Sequence, residues 1–148
     1  MTDGGFGSYH LVEGWSTSYP ETSGYIIPTL IEYGADECKQ AAIKAADWLV
    51  SIQKPSGGWQ SMRIADNRPE VVFNTGQVLR GMIAAHQLTG SEKYLAAANK
   101  AGDWLLEIQD ADGKWSNHVY MGVARVYDSY VSAPLLQLWK ATGDERSQ

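Results

Sequence analysis

The chain has 148 residues, enough for one domain with its own core, and 44% hydrophobic against 20% charged residues exclude a disordered polyelectrolyte. A net charge of −5 excludes a protein that reads a nucleic-acid backbone through a basic face. No apolar run approaches the roughly 20 residues of a membrane span, and the single Cys38 excludes an internal disulfide framework.

Taken in chain order, the N-terminal "MTDGGFGSYHLVEG" lacks the basic stretch and apolar centre of a leader, so a cytoplasmic protein is expected. "SYPETSGYIIPTLIEYG" predicts a first helix starting near Pro20, with Pro28 limiting or kinking it. "GADECKQAAIKAADWLVSIQ" predicts a second, with Ala41, Ala45, Trp48, Leu49 and Ile52 at helical spacing and Cys38 as a packed thiol. Gly57-Gly58 then turn the chain, and "QSMRIADNRPEVV" reads as a loop. "FNTGQVLRGMIAAHQLTG" predicts a third helix capped by Asn74 or Thr75, with His86 packed inside. "GSEKYLAAANKAGDWLLEIQ" predicts a fourth, with Ser91 as its cap. After Asp112-Gly113 and the loop "SNHVYMGVARV", "YDSYVSAPLLQLWKATG" predicts a fifth, capped by Asp128 or Ser129. "DERSQ" should open a sixth.

The second and fourth helices are copies. Asp47-Trp48 recurs as Asp103-Trp104, Ile52-Gln53 as Ile108-Gln109, and Trp59 as Trp115, all 56 residues apart without a gap from Gly34 onward. The elements are therefore antiparallel helical hairpins repeated about two and a half times, an all-α fold of about five helices. Such hairpins bury their sides against neighbours, as solenoid repeats do, so a chain that stops near its sixth helix leaves apolar surface open. A homo-oligomer through that open edge is expected.

The repeated residues resemble a known pattern. Lys44-Ala45, Trp48-Leu49, Gln53, Gly57 and Trp59 follow the QW pattern of squalene and other triterpene cyclases, and Lys100-Ala101, Trp104-Leu105, Gln109, Gly113 and Trp115 follow it again. This resemblance implies an α/α toroid, the architecture of terpenoid cyclases, protein prenyltransferases and six-hairpin glycosidase-like proteins, here as a single partial toroid over residues 1–148. Within the motif, Gln53 and Gln109 suit backbone groups at a helix end, and Trp59 and Trp115 suit folding back over that end.

The resemblance also implies that chemistry gathers at the N-terminal mouth of the inner helices, where helix dipoles favour carboxylates and anions. Glu21, Asn74, Gln77, Asp128 and Tyr130 stand near those helix starts, and Trp15, Tyr19, Tyr25 and Tyr127 add ring faces for a sugar or an apolar ligand. A carbohydrate-acting enzyme is the first expectation, because "YPETSGYIIPTL" and "FNTGQVLRG" look like the glycosidase side of the superfamily. Glu21 and Asp128 are the candidate pair of carboxylic groups, Trp15, Tyr19, Tyr25, Asn74, Gln77, Tyr127 and Tyr130 the candidate substrate contacts. Both carboxylates also suit a plain interaction with free backbone N–H groups at a helix start. A lyase would take its base from His10, His118 or Tyr120. The second expectation is a terpenoid-cyclase or prenyltransferase-like domain. That family's D-x-D-D proton donor is missing, with only "DADG" at Asp110 to Gly113, and Cys38 has no zinc-ligand partners. The third is a non-catalytic helical-repeat module. No metal and no cofactor are expected.

Overall fold

The computed structural model describes residues 1–143. The expected opening of a sixth helix at residues 144–148 lies outside them. Five helices follow a short hairpin: β1 (Gly7–His10), β2 (Gly14–Ser18), α1 (Pro20–Tyr33), α2 (Asp36–Ile52), α3 (Val72–Thr89), α4 (Glu92–Glu107) and α5 (Ser132–Thr142). Helices α1, α3 and α5 form an inner row with α3 at its centre, and α2 and α4 lie outside. This is the partial α/α toroid that the repeat predicts.

The row order follows from where the apolar side chains point. Helix α3 buries residues around most of its circumference, from Val72 and Val78 to Leu79, Met82 and Ile83, because it has neighbours on every side. Helices α2 and α4 bury one stripe each: Ala42, Ala45, Trp48 and Leu49 in the first, and Ala98, Ala101, Trp104 and Leu105 in the second. Their opposite faces carry the charges, including Asp47 paired with Lys93 at 2.6 Å.

The inner helices approach through glycine. A Cβ on Gly24 would stand 2.6 Å from the Val78 Cα, and one on Gly81 would stand 2.6 Å from the Gly24 carbonyl oxygen. Backbone touches backbone here, and neither helix can yield without moving whole. Gly24→Ala is expected to cost about 1–3 kcal/mol of unfolding free energy, against under about 0.5 for Glu32→Ala on the exposed face. Urea titrations followed by circular dichroism measure both, and equal effects would refute the close seam.

Each outer helix ends in the same device. The Gln53 amide donates to the Gly57 carbonyl (2.8 Å) and, across to α4, to the Ala97 carbonyl (2.9 Å). Gly57, at φ 109°, turns the chain, and the Trp59 indole N–H folds back to donate to the Leu49 carbonyl at 2.8 Å. One repeat later Gln109 donates to Gly113 (2.9 Å), Gly113 takes φ 81°, and the Trp115 indole donates to Leu105 (2.9 Å). The Leu49 and Leu105 carbonyls, left open in the last turns of α2 and α4, are thus satisfied by side chains. The N-terminus adds a reduced version: Phe6 N–H donates to the Ser23 hydroxyl at 2.8 Å, just as Trp59 N–H donates to the Thr75 hydroxyl at 3.0 Å.

Several helix starts differ from expectation. Helix α3 begins at Val72, ahead of Asn74 and Thr75, because those side chains serve the preceding turn: Thr75 accepts from Trp59, and the Asn74 amide faces the Gln60 carbonyl at 3.4 Å. Helix α5 begins at Ser132, and Asp128 lies instead in a 3-10 stretch, Val126–Val131, where its Oδ2 accepts the Arg125 N–H at 3.0 Å. Asp128 does satisfy a backbone donor, but not one of α5. Ser91 precedes α4 without a capping bond from its side chain. The β1–β2 hairpin recurs after Trp59 only as an isolated antiparallel bridge between Gln60 and Glu70, and the repeat pattern did not predict it.

Candidate functional site

The three segments that enter the inner helices, residues 11–19, 60–71 and 116–131, meet at one end of the row. There the N-termini of α1 and α3 and the loop before α5 enclose a cavity of about 410 Å³. Tyr19 and Glu21 come from the start of α1, Phe73 and Asn74 from the start of α3, Ser61 and Met62 from one loop, and Tyr120 and Tyr127 from another. Most of its lining is apolar or aromatic, with one carboxylic group.

Pro20 at the first position of α1 places Glu21 in the first helical turn, where it is half-buried among rings. Burial pushes its pKa above the ordinary 4.5, so the cavity favours the neutral acid. An acid whose folded pKa is raised holds its proton longer in the folded state. Stability is therefore lost as pH rises from 4.5 through that raised value. Glu21→Gln removes this dependence, and its stability advantage over the wild type is expected to grow with pH across that window. Urea midpoints measured at successive pH values test this, and a constant difference would refute the raised pKa of Glu21.

The rings are held by one another. Phe73 and Tyr127 meet edge to face with centroids 4.9 Å apart. The Arg125 guanidinium lies 5.7 Å from the Tyr120 ring centre and 5.8 Å from that of Tyr127. Met62 adopts a left-handed φ of 62°, and His118, one repeat on, takes 54°. The shared angle shows that this conformation belongs to the turn after each Trp. It aims Met62 into the cavity, while His118 packs edge-on against Trp104 at 5.3 Å.

Asp128 faces a neighbouring cavity of about 380 Å³, whose walls include Lys114, Trp115 and Arg125. Burial raises its pKa, opposed by the Arg125 backbone N–H and the Arg125 charge. Its Oδ1 has no hydrogen-bond partner among the described residues. The two carboxylates expected to act as a pair thus line different cavities.

Of the other candidates, Tyr19, Asn74 and Tyr127 join Glu21. Gln77 is buried one turn deeper, its Oε1 facing Arg80 at 3.5 Å. Tyr25 and Tyr130 are exposed on the flanks of α1 and the α5 entrance. Trp15 lies on the hairpin with its ring 5.1 Å from Tyr9. Ser61, Met62 and Phe73 were not anticipated. The only trace of Met62 in the sequence is its place three residues after Trp59, and Phe73 carried no signal beyond its position beside Asn74.

His10 is occupied by the hairpin turn, its Nδ1 accepting from the Val12 and Glu13 N–H groups. Among the described residues, no group of three or more His, Cys, Asp or Glu side chains could hold a metal ion, and no helix is long and apolar enough to cross a membrane. Residues 6–124 match the family model described as squalene-hopene cyclase C-terminal domain.

Proposed function

The chain belongs to the squalene-hopene cyclase C-terminal domain family, and from that membership we propose that its mouth cavity binds an isoprenoid and protonates it. The observation that carries this reading is a single neutral-favouring carboxyl, Glu21, set among aromatic rings. Acid-started isoprenoid chemistry needs those two parts. The Glu21 carboxyl gives its proton to one carbon of a double bond, and the π electron pair becomes the new C–H bond. The adjacent carbon is left cationic, and the faces of Tyr19, Phe73, Tyr120 and Tyr127 attract that charge. Loss of a neighbouring proton to the Glu21 carboxylate then forms the product alkene and resets the acid. The net change is an isomerisation; where a second double bond of the same chain attacks the cation first, its π pair becomes the new ring bond and the net change is a ring closure.

Family membership favours this reading over the carbohydrate one. A glycosidase needs two carboxylic groups facing one bond, about 5–10 Å apart across the sugar, and Glu21 and Asp128 open into separate cavities.

The test is incubation with squalene and with shorter polyprenyl alcohols in deuterated water, followed by mass spectrometry. Deuterium incorporated into an isomerised or cyclised product is the expected result. Binding without incorporation would reduce the domain to a binding module. Binding of oligosaccharides with no isoprenoid binding would return the carbohydrate reading.

A further inference from the structure

We propose that a second, smaller cavity on the inner row, built around Arg80, holds the phosphoryl headgroup of the isoprenoid whose chain occupies the mouth cavity. This rests on the isoprenoid reading for the chain, and on Arg80 and its neighbours for the headgroup.

The cavity, about 170 Å³, is walled by Pro28 of α1, by Arg80, Ile83, Ala84 and Gln87 of α3, and by Gln137 of α5. All three inner helices contribute and neither outer helix does, so it opens on the face of the row turned away from α2 and α4. The mouth cavity uses the same face. Its walls include Glu21 of α1 and Phe73 of α3, and Pro28 and Arg80 stand seven residues further along those two helices. Seven residues make two turns to within about 20°, so the members of each pair share a helix face. At the α-helical rise, the two cavities follow one another about 10 Å apart along the row.

Their chemistry differs. Rings and one acid line the mouth, whereas the smaller cavity has no ring and gathers donors. Arg80 is half-buried and makes no ion pair among the described residues. Its one hydrogen bond goes to Gln77 Oε1 at 3.5 Å, too long to hold it firmly. An arginine withdrawn from water is ordinarily paired with an acid. A guanidinium carries five N–H donors, and most of these stay uncommitted. Gln87 and Gln137 add two side-chain amides that have no partner among the described residues.

Donors gathered without a carboxylate suit an oxygen-rich anion, and the planar fork of an arginine takes phosphoryl oxygens two at a time. The space holds roughly six water-sized groups, room for a phosphoryl group but not for a prenyl chain beside it. A headgroup fixed at Arg80 sends the chain along the row toward the mouth. The double bond about 10 Å away then lies beside Glu21, so the anchor selects which double bond meets the acid.

Calorimetric titration of the full chain at low salt with farnesol, farnesyl diphosphate and inorganic diphosphate tests the site. The wild type is expected to bind farnesyl diphosphate about tenfold or more tighter than farnesol. Arg80→Gln should abolish that difference and leave the farnesol affinity unchanged, and Arg80→Lys should keep part of it. A loss confined to the charged ligand, with farnesol still bound, cannot come from misfolding. Equal affinity for alcohol and diphosphate in the wild type, or an Arg80→Gln variant that still prefers the diphosphate, would overturn the headgroup site and leave the isoprenoid reading standing. Inorganic diphosphate bound through Arg80, with no gain from the farnesyl chain and no binding of farnesol, would support the anion site and overturn the isoprenoid reading.

Discussion

Trp59→Ala is expected to lower the unfolding free energy by about 3–5 kcal/mol. That is a large part of the roughly 5–15 kcal/mol that holds a domain of this size together. Trp59 is fully buried, the largest side chain so placed, and it joins α2 to α3 and to the segment that enters α3. Its indole donates to the Leu49 carbonyl of α2, its backbone N–H to Thr75 of α3, and its carbonyl accepts the Val71 N–H just ahead of α3. Removing the ring leaves a cavity between backbones that cannot close on it and strands the Leu49 carbonyl. Trp59→Phe keeps most of the volume and isolates the lost hydrogen bond, at about 1–3 kcal/mol. Trp115→Ala should cost less than Trp59→Ala. The two Trp side chains make equivalent bonds, but a Cβ on Gly113 would meet nothing within 4 Å, where one on Gly57 would meet the Lys100 carbonyl at 2.3 Å. The later turn has freedom to relax. Urea unfolding monitored by far-ultraviolet dichroism gives the order, and equal losses at the two sites would refute the part assigned to the outer-helix neighbour.

Glu21→Gln is expected to reduce isoprenoid turnover by about 10²–10⁴-fold while leaving ligand affinity nearly unchanged. The amide has the same shape and occupies the same place among the rings, but it has no acidic proton to give. Glu21→Asp should recover part of the rate, since it restores the acid while withdrawing it by one methylene. Single-turnover rates and binding titrations with the same polyprenyl substrate separate the two effects. A loss of affinity matching the loss of rate would make Glu21 a binding residue. A comparable rate loss in Asp128→Asn would point back to a pair of carboxylates working together across the wall between their cavities.

The residues that stabilise the fold are not those that line the mouth cavity. The repeated tryptophans face inward between helices and make backbone bonds at both ends. The mouth residues differ from one inner helix to the next, Tyr19 and Glu21 entering with α1, Phe73 and Asn74 with α3 and Tyr127 ahead of α5, and the cavity owes its character to those differences. The carbohydrate expectation arose from the stretches around these unlike residues, where the sequence has no internal copy to check against. The family match covers both motif copies and supports the terpenoid reading instead.

The sequence by itself determined the helical hairpins, their order and the staple at the end of each outer helix. These depend on spacing along the chain: apolar side chains at helical intervals, a Gln four residues before a glycine, and a Trp two residues after it. A 56-residue repeat prints that spacing twice. The start of α3 was misplaced because Asn74 and Thr75 look like caps in one dimension, and only the fold shows Trp59 close enough to take the Thr75 hydroxyl. The cavity was partly legible. Tyr19, Glu21, Asn74 and Tyr127 were found because each stands at a helix entrance, and the toroid brings entrances together. That Asp128 turns into a different cavity, that Tyr25 is left exposed on α1, and that Met62 completes the wall depend on helix rotation and on left-handed backbone turns. Those are decided by packing between segments tens of residues apart, and no local pattern records them.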